Sequence, residues 1–151
     1  MKKMIVFDMD GTLANLYNEP NWLEDLQNGN ARPYENAQPL VDMEDLAIIL
    51  NLLKEQGWKI AVTSWLSKNS TKGYDNKVRR AKREWLERYG FPFDEIHLVK
   101  YGTKKDNCTK NKADFQILVD DNQDILNKWQ LGGVINATQN ILLELVKLLE
   151  D

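Results

Sequence analysis

The sequence predicts an α/β fold with three layers around a mostly parallel five-stranded sheet. Three observations carry the prediction. Short apolar runs alternate with longer stretches of helical period, as parallel crossover units require. Two of those runs, Met4–Phe7 and Asp114–Val119, lead into carboxylates, Asp8 and Asp10 in the first case and Asp120 and Asp121 in the second. The chain of 151 residues, 42% hydrophobic and 28% charged, suits a single globular domain spanning residues 1–151.

Met4–Phe7 is the first strand. Residues 15–39 then change character: Asn, Glu, Gly and Pro dominate, with Tyr17, Trp22, Leu23, Leu26 and Tyr34 interspersed. This reads as an insertion with one helical turn near Trp22–Gln27. From Leu40 to Gln56, Leu40, Met43, Leu46, Leu50 and Leu53 recur at spacings of three and four. Ile48, Ile49 and Leu52 widen that face, so a well-buried helix is expected, closed by Gly57. Lys59–Thr63 is the second strand and Ser64–Gly73 a polar loop. A helix over 76–89 follows, with Asp75 as its N-cap and Val78, Ala81, Trp85 and Tyr89 on one face. Glu95–Val99 is the third strand, Lys100–Ala113 a basic loop, and Asp114–Val119 the fourth strand. A short helix over 123–129, a strand over 133–135 and a helix over 138–149, with Ile141, Leu142, Leu145 and Leu149 inward, complete the chain.

A formal net charge of −3 gives no argument for a nucleic-acid or membrane-surface protein. The lone Cys108 excludes an internal disulfide and suits a reducing cytoplasm. The apolar run before Asp8 is too short for a signal peptide, and no run approaches the roughly 18 apolar residues of a membrane span.

The chemistry lies at the strand ends. Asp8-x-Asp10-Gly11-Thr12 places two carboxylates one residue apart at the exit of a buried strand, and Asp120-Asp121 repeats the device. If the two strands are parallel neighbours, four acidic groups meet at one sheet edge, where open α/β sheets place their sites. Such a cluster calls for a divalent cation. Thr63-Ser64 follows the second strand, and the loop after the third offers Lys100, Lys104, Lys105, Lys110 and Lys112.

In order and placement, these motifs over residues 4–121 resemble the haloacid dehalogenase superfamily of phosphohydrolases and phosphotransferases, with a Rossmann-like core. The resemblance implies Asp8 as nucleophile, forming an aspartyl-phosphate, and Asp10 as general acid and base, with its main-chain carbonyl on the metal. It implies Mg2+ held by Asp8, Asp10, Asp121 and Asp120, and phosphate bound by Thr63, Ser64, Gly11, Thr12 and a lysine. Gly102-Thr103-Lys104 is similar to the Gly-x-Lys arrangement of some relatives and selects Lys104, with Lys105 second and Lys100, next to the strand, as a further candidate. Val62-Thr63-Ser64, then Arg79-Arg80-x-Lys82-x-x-Trp85-Leu86, then Leu118-Val119-Asp120-Asp121-Asn122 resemble the 5′(3′)-deoxyribonucleotidases more narrowly. That implies a nucleoside monophosphate substrate. Separately, the aromatics Tyr17, Trp22, Tyr34 and Trp65 are candidates to stack on a base, Trp22 and Trp65 foremost, against the bland reading that they pack the insertion onto the core. The insertion at 15–39 is shorter than the helical caps of such relatives.

Three alternatives stand beside this reading: a phosphatase for polynucleotide ends, admitted by an open site and basic residues over Lys77–Arg83; a sugar-phosphate phosphatase; and a non-catalytic phosphate- or metal-binding module. The bland reading of Lys77–Arg83 is a solvated helix face.

Overall fold

The computed structural model describes residues 1–150. Its centre is a five-stranded, wholly parallel sheet of β1 (Lys3–Phe7), β2 (Trp58–Trp65), β3 (Glu95–Val99), β4 (Phe115–Asp120) and β5 (Val134–Asn136), in spatial order β3-β2-β1-β4-β5. Strand β1 is therefore central. Ile5 stands between Ile60 of β2 and Ile117 of β4, and Asp8 N–H continues the ladder to Val119 O at 2.9 Å. The order reverses between β1 and β4. The expected switch point thus falls where Asp8 and Asp120 leave their strands.

The helices are α1 (Trp22–Gln27), α2 (Arg32–Asn36), α3 (Met43–Glu55), α4 (Lys72–Arg88), α5 (Asp106–Thr109), α6 (Gln123–Lys128) and α7 (Ile141–Val146). One sheet face, with Ile5, Phe7, Ile60, Val62, Ile117 and Val119, is buried against α3, α7 and the end of α4. The other, with Met4, Val6, Ala61 and Leu118, is buried against Leu126 and Trp129 at α6. Strands covered on both faces read as continuous apolar runs, which is why they were visible in the sequence.

Several boundaries differ from expectation, each for a local reason. Helix α3 starts at Met43 because Asp42 caps it, its carboxylate accepting from Asp45 N–H; Leu40 lies outside and exposed. Ile48 and Leu52 are also exposed, so α3 is amphipathic rather than engulfed. Helix α4 begins a turn earlier than expected. Thr71, not Asp75, is its cap, accepting from Tyr74 N–H at 3.2 Å, while Asp75 receives the Ser70 hydroxyl. Strand β2 runs on to Trp65, and the basic loop contains the short helix α5. The last helix is shorter, capped by Asn140.

The insertion forms a small cap of a 3-10 turn (Leu16–Asn18), α1 and α2. It has its own apolar floor: Leu16, Ala31 and Tyr34 pack with Leu66, Tyr74, Val78 and Ala81. Polar ties pin it to the core side. Tyr34 Oη and Ser67 Oγ lie 2.8 Å apart, Tyr74 O–H donates to Asn30 O at 3.1 Å, and Trp85 Nε1–H donates to Ala37 O at 2.8 Å. No helix among the described residues is long and apolar enough to cross a membrane.

Candidate active site

The carboxyl ends of β1 and β4 open into a cleft of about 790 Å³ between the sheet edge and the cap. Asp8, Asp10, Asp120 and Asp121 all line it, as do Ser64, Trp65 and Lys105. After β1 the chain turns sharply at Gly11, which has φ +83°; a Cβ there would lie 2.6 Å from Asp121 Oδ2. Glycine thus lets the first acidic turn close against the second.

Two lysines divide the acids between them. Lys105, nearly fully buried, donates to Asp8 Oδ1 at 2.9 Å and to Asp120 Oδ2 at 2.8 Å. Burial opposes its charge, but Asp8 and Asp120 outweigh that and raise its pKa. Lys104, the lysine preferred from sequence, is exposed. The Lys100–Thr103 turn places the next residue outward and the following one, at the start of α5, inward. Lys82, fully buried, holds the other acid: its Nζ donates to Asp10 Oδ2 at 2.8 Å, to Ser64 Oγ at 2.8 Å and to Trp65 O at 2.9 Å. The reading of Lys77–Arg83 as one solvated face fails at this residue. Val78, Lys82 and Leu86 are spaced by four, so the lysine falls on the buried stripe of α4.

Gly11 and Thr12, expected at the phosphate, instead order the turn. Gly11 N–H donates to Ala14 O and Thr12 N–H to Met9 O, so neither amide is free for an anion. The Thr12 hydroxyl lies 3.0 Å from Asp8 Oδ2 and 3.2 Å from Asp121 Oδ1. Ser64 accepts from Lys82, which leaves its own hydroxyl proton for a ligand. Thr63 is fully buried within β2, one residue beyond the Phe7–Val62 pair, and its Oγ1 has no hydrogen-bond partner. An unspent buried hydroxyl costs free energy unless an acceptor arrives.

The electrostatics point to a missing charge. Burial raises the pKa of Asp10, with Lys82 pulling it down in part. Burial also raises Asp120, reinforced by Asp8 and opposed by Lys105. Asp121 has no lysine, and burial followed by the charge of Asp8 pushes it up to about 7. Carboxylate oxygens of Asp8, Asp120 and Asp121 lie within 4.8 Å of one another. Hard oxygen donors so close, with one acid unpaired, fit a divalent cation. The Asp10 carboxylate stands outside this trio, drawn to Lys82.

The aromatic residues divide by role. Tyr34 is buried packing, and Trp65 is committed: its Nε1–H donates to Thr103 O at 2.8 Å and its ring rests on Tyr101 at 5.1 Å. Trp22, half-buried with Tyr17 edge-on at 5.1 Å, and the exposed Tyr101 line the cleft mouth. Tyr101 was not picked out from the sequence, where it looks like any loop aromatic.

No family model matches the chain, and no curated protein does. Solved structures do share its fold. It is similar to a chain in the structure of the Pnkp1/Rnl/Hen1 RNA repair complex, at 19% identity and a TM-score of 0.58 over 89% of this chain. It spans 42% of that chain. It is also similar to D,D-heptose 1,7-bisphosphate phosphatase from Burkholderia thailandensis, at 14% identity and a TM-score of 0.55, covering 96% of this chain and 99% of the other.

Proposed function

We propose that this protein is a phosphomonoester hydrolase of the haloacid dehalogenase type, working through an aspartyl-phosphate on Asp8. One observation carries the reading: Asp8 faces a cleft with Lys105 on one oxygen and Thr12 on the other, beside a second, partly buried acid, Asp10. A carboxylate so fixed is an oriented nucleophile. The fold it shares with a heptose bisphosphate phosphatase supports the reading.

In the first step an Asp8 oxygen attacks phosphorus and the ester oxygen departs. Asp10, whose pKa burial raises, gives that oxygen its proton. In the second, Asp10 takes a proton from water, whose oxygen attacks the acyl phosphate and returns Asp8 and inorganic phosphate. Lys105 and Ser64, which line the cleft, would hold phosphoryl oxygens, and Thr63, whose buried hydroxyl has no partner, is a third candidate. Mg2+ held by Asp8, Asp120 and Asp121 would neutralise the ester's negative charge when bound.

A nucleoside monophosphate suits the cleft. Its volume is that of a small-molecule site, and Trp22, Tyr17 and Tyr101 offer ring faces or edges at its mouth. A base stacked there gains roughly 1–3 kcal/mol. The lone Cys108 suits a cytoplasmic setting. A second reading, a phosphatase for polynucleotide ends, draws on the exposed Lys72, Lys77, Arg79 and Arg80 of α4 and on the fold shared with a chain of an RNA repair complex.

The test is phosphate release with Mg2+ from nucleoside 5′- and 3′-monophosphates, sugar phosphates and end-phosphorylated oligonucleotides, with Asp8→Asn as control. Selectivity for mononucleotides, lost in Asp8→Asn, is expected. A folded, metal-loaded protein inactive on the whole panel would overturn the proposal.

A further inference from the structure

Lys82 is the buried charge that the chemistry above leaves without a task. An ammonium has three protons to give, and all three are spent, on Asp10 Oδ2, Ser64 Oγ and Trp65 O. It cannot also grip a phosphate without releasing one of them. Its fourth neighbour is the ring of Tyr34 in the cap, 5.0 Å from Nζ to the centroid. Burying a lysine this fully brings no general gain in stability, since apolar side chains of similar volume often replace buried ion pairs at no cost. The geometry therefore asks what Lys82 does to Asp10.

We infer that Lys82 is the positioning residue of Asp10: by holding Oδ2 it fixes the carboxyl so that the other oxygen faces the ester oxygen about to leave. The same ammonium fixes Ser64 Oγ and the exit of β2 at Trp65. Its seat against Tyr34, itself tied to Ser67, makes the orientation of the acid depend on the cap being docked. Because Lys82 reaches Asp10 from α4, which also carries the cap's apolar floor, one helix sets both.

This inference rests on the phosphatase reading, in which Asp10 protonates the leaving group. That role gives it a specific signature. An alkyl ester such as a nucleoside monophosphate needs a proton on its departing oxygen; 2,4-dinitrophenyl phosphate, with a stable phenolate, does not. The measurement is kcat/KM for both substrates in the wild type, Lys82→Met, Lys82→Gln and Asp10→Asn, with thermal melts to establish folding. General-acid assistance is typically about 100- to 10,000-fold. Lys82→Met should therefore lose about 10- to 100-fold on the alkyl ester and under about 3-fold on the dinitrophenyl ester. Lys82→Gln, which keeps a hydrogen-bond donor and is read in its place if Lys82→Met does not fold, should show the same split. Equal loss on both esters in the Lys82 variants, or no loss, with the split still present in Asp10→Asn, overturns the role of Lys82 and leaves the phosphatase reading standing. A wild type inactive on both esters removes that reading and this inference with it.

Discussion

Asp121 makes the charge balance of the site measurable without any substrate. In the unfolded chain its carboxyl loses its proton near 3.8; in the folded, metal-free protein it keeps it to about 7. Between those values the unfolded state binds fewer protons than the folded one, so stability falls as pH rises and the loss is complete above about 7. A displacement of that size corresponds to about 4 kcal/mol if unscreened. The group is partly open to solvent, so roughly 2 kcal/mol is the better figure. In a domain of this size that moves Tm by about 4–8 °C. Without metal, Asp121→Asn removes the titration at nearly constant side-chain shape; with metal it also removes a candidate ligand. The assay is thermal unfolding in EDTA at pH 5 and pH 8, for the wild type and Asp121→Asn. The wild type should be less stable relative to the variant at pH 8 than at pH 5. Millimolar Mg2+ should cancel the penalty in the wild type, because a bound cation replaces the proton, and should do much less for the variant. If the difference between the two proteins is the same at both pH values, Asp121 is not a strained, uncompensated acid. If Mg2+ stabilises both proteins equally, the cation does not bind where the acids converge.

Lys105→Met strands Asp8 and Asp120 as buried charges, which typically costs about 3–5 kcal/mol; a marked fall in Tm without metal and a loss of at least about 100-fold in kcat/KM are expected, against no more than about twofold for the exposed Lys104→Met. Gly132→Ala would drive a Cβ into the Gln116 backbone near the start of β4, a clash that nothing flexible can relieve; a loss of roughly 2–4 kcal/mol in denaturant unfolding is expected, with the metal response unchanged in whatever remains folded.

The sheet was legible because its signal is local. Ile5, Val6 and Phe7, like Ile117, Leu118 and Val119, are buried on both sides, so each strand announces itself as an apolar run and each run ends where the acids begin. Helix ends were less legible because caps compete: Thr71 and Asp75 are both capping residue types, and in the fold Thr71 caps α4 while the Asp75 carboxylate accepts from the Ser70 hydroxyl. The lysines were least legible. Whether Lys104 or Lys105 points inward depends on the phase of a turn closed by Thr103 N–H and its hydroxyl on Lys100 O, which residue type alone does not fix. For Lys82 a signal was present, its place between Val78 and Leu86 on an apolar stripe, but five basic residues in Lys77–Arg83 hid it.

The division of charge explains why the site needs both lysines and why neither is redundant. With all four carboxylates ionised, two ammonium groups leave two negative charges uncompensated, the charge of one divalent cation. Had both lysines served the Asp8–Asp120 pair, Asp10 would have been left to swing, and the acids would have offered a cation no defined place. Instead Lys105 ties Asp8 to Asp120, Lys82 holds Asp10 apart from the trio of Asp8, Asp120 and Asp121, and Asp121 is left unpaired. On the proposed mechanism, nucleophile, acid and metal site would thus occupy separate positions within one cleft. A lysine moved from one pair to the other would preserve the net charge and lose that separation, so it is the placement of the two charges, rather than their number, that makes the cluster of acids a site.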